Sequence, residues 1–218
     1  PGPTADLPIR IYRPSKVSDR TIVYFHGGGW VLNFLDIYDA SLSRLANQSN
    51  ATIISVNYQK APEHPFPIPF DDCWASVEWV IENAKTLNIN PKKIGVSGDS
   101  AGGNLASAVA LKARDKNIEL AYQLLLYPCN QKDRDTDSMN DYAEGYGLTR
   151  DRMTFLWDQY LNGNEISIAD FYFFVMLHWC DYFSIDLEKW PKILNLKYNL
   201  EKRSSIQEVL KFESSLSQ

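Results

Sequence analysis

Ser100 stands at the centre of Gly98-Asp99-Ser100-Ala101-Gly102, a G-x-S-x-G pentapeptide in a setting that can turn a hydroxyl into a nucleophile. Before it, 93–97 is a short run suited to a buried strand. After it, 101–111 is a small and apolar run suited to a helix. A serine between the two occupies a tight strand-to-helix turn, with its hydroxyl raised above the sheet over the helix N-terminus, in position to attack a carbonyl carbon. Glycine is needed at 98 and 102 because a side chain there would strike the neighbouring strand or helix.

An attacking oxygen also needs donors for the charge that develops on the carbonyl. His26-Gly27-Gly28-Gly29-Trp30 follows the strand-like run 21–25 and leaves its amides bare. The N–H groups of Gly27, Gly28 and Ala101 are the expected oxyanion hole, each donor worth a few kcal/mol. His26, beside the glycines, is expected to order the loop through neighbouring backbone groups rather than to move a proton. The glycines lack the G-x-G-x-x-G pattern and the Gly-Lys-Ser/Thr ending of phosphate cradles. His64 lies in a proline-rich stretch and is read as structural.

These motifs occur together with Pro8-Ile9-Arg10-Ile11-Tyr12-Arg13-Pro14, Ala61-Pro62-Glu63-His64-Pro65-Phe66-Pro67 and Leu125-Leu126-Tyr127-Pro128. In this order they resemble the hormone-sensitive lipase group of α/β-hydrolases, close to arylacetamide deacetylase-like esterases. The resemblance stops after about Glu165. It implies an α/β fold of the α/β-hydrolase kind, a mostly parallel sheet flanked by helices. It also implies a carboxylic ester or acyl-amide hydrolase working through an acyl-enzyme on Ser100. A small acyl ester or amide is the implied substrate, with no metal and no organic cofactor.

Departures from the group follow. Asn33 stands where glycine is frequent, and asparagine tolerates positive φ. Tyr58-Gln59-Lys60 replaces a Tyr-Arg-Leu pattern, removing an arginine that could pair with Asp72, so a less rigid loop is expected. Residues 166–218 are rich in aromatics and lysines, hold no glycine and a single proline, Pro191, and carry neither the acid nor the base motif of the group. His178 fails as a base: the acid must precede it, and Asp170 is only seven residues away in intervening chain. Adjacent parallel strand ends need a crossover of about a dozen residues or more. Asp181 and Asp186 come too late in the order.

The domain reading is therefore a hydrolase core over 1–165 and a divergent segment over 166–218, with the first strand and the last two strands of the fold not recognisable. Such a break is what a splice variant, an intron read-through or a misassembled gene model produces. The chain starts at Pro1, and 9–12 resembles the group's second strand, so an upstream segment is expected. The chain by itself is expected to be catalytically impaired. The alternative is a noncatalytic small-molecule-binding protein on a hydrolase fold.

Strands and helices alternate in the βα rhythm of a parallel sheet. Strands are expected over 9–12, 21–25, 52–56, 93–97 and 122–126, and helices over 38–48, 71–86, 100–115 and 149–161. Pro62, Pro65, Pro67 and Pro69 mark an extended loop. Asp133, Asp135, Asp137 and Glu144 have calcium-loop spacing, but Ser138 occupies the glycine position, which leaves a solvated acidic loop. The strand over 122–126 is expected to form an open edge with Leu124 and Leu126 in the core, inviting oligomerisation or aggregation.

With 218 residues, 44% of them hydrophobic, a sizeable core can be buried in one domain. A net charge of -5 and the lack of a basic cluster argue against nucleic acid as a partner. The longest apolar run, 171–177, is too short to cross a bilayer. Cys73, Cys129 and Cys180, odd in number and widely spaced, fit reduced thiols and a weakly indicated cytoplasmic location.

Overall fold

A computed structural model describes residues 2–16, 18–132, 135–162 and Lys197. The chain divides into two compact units, Pro1–Glu165 and Ile166–Gln218. The sheet and its helices belong to the first unit. Asp133, Asp170, His178, Cys180, Asp181 and Asp186 lie outside the described residues.

Five strands form one sheet: β1 (Ile9–Tyr12), β2 (Thr21–Phe25), β3 (Thr52–Val56), β4 (Ile94–Asp99) and β5 (Gln123–Leu126). Their spatial order is β1-β3-β2-β4-β5. β1 runs antiparallel to β3, and every other pairing is parallel. The three central strands are buried along their whole length, which is why they read as apolar runs rather than as alternating ones. Alternation survives in three dimensions instead. Val23, Phe25, Ile54, Val56 and Val96 face one core, while Ile22, Tyr24 and Ile53 face a second.

The helices cover those two faces. α1 (Leu35–Ser49) brings Leu42 and Ala46 to the second core. α2 (Ile68–Glu82) and α4 (Ala101–Asp115) bring Cys73, Val77, Val80, Leu105 and Val109 to the first. A short α3 (Ala84–Leu87) follows Asn83, so the helix expected over 71–86 is two pieces. A 3-10 turn at Pro91–Lys93 leads into β4, and α5 (Asp137–Asp141) and α6 (Arg150–Asn162) follow β5.

Three expectations are corrected. The proline stretch is not an extended loop throughout. His64 N–H turns back to Lys60 O at 2.9 Å, and Pro69 lies in the first turn of α2, where a missing N–H costs nothing. Part of the acidic loop is helix, with Thr136 Oγ1 accepting from Met139 N–H to cap α5. Leu124 is 42% exposed rather than in the core, because β5 pairs only with β4 among the described residues and its first two side chains are left outside. Leu126 is half-buried.

Candidate active site

The junction of β4 and α4 has one residue between its two elements, and that residue is Ser100. Its φ of 52° and ψ of −119° place a non-glycine residue in the positive-φ region, which is held only where the surroundings over-determine it. They do so here. Ser100 N–H donates to Leu126 O at 2.9 Å, and Ser100 O accepts from Asn104 N–H and Cys129 N–H, both at 3.1 Å. A Cβ at Gly102 would fall on Phe25 O, and one at Gly98 on Gly102 O, so β2, β4 and α4 approach here closely enough to exclude any side chain. Ala101, first in α4, has an N–H without an intrahelical acceptor, at the positive end of the helix dipole.

Across from this turn runs the glycine loop. Gly28 has φ 117° and Gly29 φ 62°. Asn33, at φ 76°, carries the positive dihedral expected of it, and its Nδ2 donates to Gly27 O at 3.1 Å. Gly27 departs from expectation. Its N–H donates to Asp99 Oδ1 at 2.9 Å and to Tyr38 Oη at 3.0 Å, so this amide is engaged elsewhere and is not a free oxyanion donor. Gly28 and Gly29 give their N–H groups to no backbone carbonyl among the described residues.

Asp99 is the residue that sequence reasoning passed over. Only 7% exposed, it gathers Tyr24 Oη at 2.8 Å and Gly27 N–H on Oδ1, and Tyr38 Oη at 2.9 Å on Oδ2. Three donors from β2, the glycine loop and α1 thus converge on the residue next to Ser100. Burial, reinforced by the carboxylate, pushes both phenols well above their ordinary range, so they remain donors at any physiological pH. The available signal was a carboxylate inside an otherwise buried strand, which has to find donors.

His26 is fully buried and stacked on Tyr58, with ring centroids 4.5 Å apart. Nδ1 lies 2.8 Å from Gly27 O, and Tyr58 Oη donates to His26 O at 2.7 Å. Desolvation lowers the imidazole to about 4, so the ring is neutral near pH 7 and Nδ1–H is the donor to Gly27 O. Next to it, the Tyr58-Gln59-Lys60 substitution keeps its contacts. Gln59 backbone N–H donates to Asp72 Oδ2 at 2.8 Å, its side-chain Nε2 reaches Asp72 Oδ1 at 3.4 Å where an arginine could have paired, and Lys60 Nζ donates to Asn57 Oδ1 and Tyr58 O. The carboxylate of Asp72 is therefore not left without a partner. Burial raises its pKa, and the Gln59 hydrogen bonds oppose that shift.

The far side of the loop rests on α6. Leu156 occupies the space where a Gly29 side chain would be, and Trp30, fully buried at φ 60°, stacks on Tyr160 at 4.6 Å and lies 4.3 Å from Trp157. Phe66 N–H donates to Tyr160 O at 2.7 Å, tying the proline stretch to the same helix.

At Ser100 Oγ the described residues offer one polar side-chain contact, Cys129 Sγ at 3.7 Å. No described histidine or carboxylate is hydrogen-bonded to it. Burial raises the Cys129 thiol, with the Ser100 contact lowering it in opposition, and a protonated thiol is not a base. His64, half-buried in its turn, makes no hydrogen bond to the serine.

Comparison with known proteins agrees with this geometry. Residues 22–194 match the family described as having the alpha/beta hydrolase fold. The chain is 42% identical over 165 residues to carboxylesterase NlhH of Mycobacterium tuberculosis, covering 74% of this chain and 52% of that protein. It is 40% identical over 166 residues to arylacetamide deacetylase of Bos taurus, covering 71% and 42%. A crystal structure of LAE6, an alpha/beta hydrolase enzyme from the metagenome of Lake Arreo, Spain, superposes with a TM-score of 0.71 at 35% identity, covering 76% of this chain and 54% of that one. The chain thus spans about half the length of the relatives it matches. On the family match, and on the fold and motifs that accompany it, the chain belongs to the α/β-hydrolase family, in its hormone-sensitive-lipase-like group.

Proposed function

We propose that Ser100 is the nucleophile of a carboxylic ester or acyl-amide hydrolase. The single observation that carries this reading is the forced backbone of Ser100, a non-glycine residue at φ 52° on the turn between β4 and α4. A protein has no packing reason to hold a serine in that conformation, and strain of this kind concentrates where a group must be presented. In the proposed reaction Ser100 Oγ attacks the acyl carbon, the hydroxyl proton passes to a base, and the alcohol or amine leaves with a proton to give an acyl-enzyme. Water then releases the acid.

The oxyanion of each tetrahedral intermediate would be held by Ala101 N–H at the head of α4 and by the glycine loop. Gly28 keeps its expected place there. Gly29 replaces Gly27, whose N–H is committed to Asp99. His26 acts as the loop-ordering group: buried, neutral and bonded to Gly27 O, it carries no proton to the serine.

We further propose that this 218-residue chain is catalytically impaired, because among the described residues Ser100 Oγ meets a thiol and not a base, and 166–218 carries neither the acid nor the base motif of the group. The substrate class, a small acyl ester or amide, comes from the resemblance and from the hydrolases it matches. The test is hydrolysis of a short-chain aryl ester by the whole chain. The expected rate is the residual ~10³–10⁴-fold over water that binding and oxyanion stabilisation leave without a base. A turnover near the ~10 s⁻¹ of a median enzyme, abolished by Ser100→Ala, would overturn the impairment and make His178→Ala the next variant.

A further inference from the structure

We infer that Cys129 is a positioning and size-selecting residue for Ser100. The inference rests on the reading of Ser100 as nucleophile and deepens it.

Two separate contacts join the residues. Cys129 N–H donates to Ser100 O at 3.1 Å, which fixes the loop after β5 against the head of α4. Cys129 Sγ lies 3.7 Å from Ser100 Oγ, within hydrogen-bond range for sulfur, where either atom can donate. Pro128, just before it, packs against Gly103, so the backbone carrying the thiol is held from both sides. Ser100 and Cys129 are both partly exposed, whereas Cys73, the other described cysteine, is fully buried.

This arrangement has two consequences. With no base hydrogen-bonded to it among the described residues, the serine hydroxyl has three staggered positions, and the thiol favours the one in which Oγ faces it. The sulfur is also a wall beside the reacting atom. A larger side chain at 129 would narrow the space directly at Oγ. Cysteine is small enough to leave that space open and polarisable enough to make a contact.

The experiment compares the whole wild-type chain with Cys129→Ser, Cys129→Ala and Cys129→Leu. Each is reacted with a methyl fluorophosphonate and with a long-chain alkyl fluorophosphonate, and the Ser100 peptide is quantified by mass spectrometry. Cys129→Ser keeps a hydrogen-bonding group and should react within about twofold of wild type, while Cys129→Ala should slow by about three- to fivefold, the worth of one modest hydrogen bond. Cys129→Leu should lose the long-chain reagent more than the methyl one, at an unchanged melting temperature. Equal rates for all four chains with both reagents would overturn the inference, as would losses that simply track melting temperature.

A second measurement does not depend on the serine reacting at all. The Ser100 hydroxyl favours the Cys129 thiolate, so Ser100→Ala should move the pH profile of iodoacetamide alkylation at the Cys129 peptide to higher pH. An unmoved profile removes the contact and with it the inference. A wild-type chain that shows the profile shift but never takes up either fluorophosphonate would instead count against the nucleophile reading, leaving Cys129 as a neighbour of an inert serine and the inference refuted as a statement about reaction.

Discussion

Asp99 shows how much of this site is held by one carboxylate. Removing it in Asp99→Ala would leave the hydroxyls of Tyr24 and Tyr38 without their acceptor and Gly27 N–H with Tyr38 Oη alone. Each buried group so stranded costs about 1–3 kcal/mol, so thermal unfolding should show a large loss, with Tyr38→Phe losing only about 1 kcal/mol. His26 supplies a pH test. Its imidazole sits at about 4 in the folded chain because burial disfavours the charged ring, against an ordinary 6.5. The unfolded chain therefore binds a proton that the folded chain refuses, and stability should fall as pH drops from about 6.5 towards 4, by on the order of 3 kcal/mol across the window. Urea melts at pH 7 and pH 5 would measure it, and His26→Asn, which can still donate to Gly27 O, should flatten the difference. A wild-type stability unchanged between those pH values would remove burial of a neutral ring from the account.

The elements differ in how plainly they can be read from residues. Strands β2 and β3 were legible to the residue because a strand buried on both faces is an apolar run bounded by polar chain. Helix starts were less so. Phe34 and Pro67, the residues before α1 and α2, offer no side-chain cap, so the usual signal is missing at both. The turn at Ser100 was legible from its glycines, whereas the seat of the glycine loop was not. Trp30 meets Trp157 and Tyr160 only after the chain has folded, and no local pattern announces a contact that distant. Gly27 failed for a related reason: whether an amide is free depends on Asp99 and Tyr38, which arrive from other elements. At this scale Gly102→Ala should destabilise by about 1–3 kcal/mol through overpacking against Phe25 O, measurable as a lowered urea midpoint. Gly28→Val is a poor probe of oxyanion binding alone, because φ 117° and contact with Leu32 O would distort the loop itself.

For the molecule as a whole, we propose β5 as the strand through which copies would associate, since among the described residues it pairs with β4 alone. Because Leu124 is 42% exposed and not core, Leu124→Lys should reduce self-association in analytical ultracentrifugation without lowering the melting temperature, as charge on an edge strand does. A monodisperse wild-type chain would show that this edge does not drive association. The family and the mostly parallel sheet were legible from the motifs because each motif is tied to a backbone geometry that few sequences satisfy. The base and acid were not, because no residue type in 166–218 repeats the pattern that would place them. Everything proposed for function returns to one atom, Ser100 Oγ. The direct measurement is peptide-resolved labelling of the whole folded chain by a fluorophosphonate, beside Ser100→Ala. A nucleophilic Ser100 should give a slow, stoichiometric adduct on the peptide containing Ser100 and none in the variant; a folded chain that stays unlabelled, or one that carries its adduct at another residue, would contradict that role.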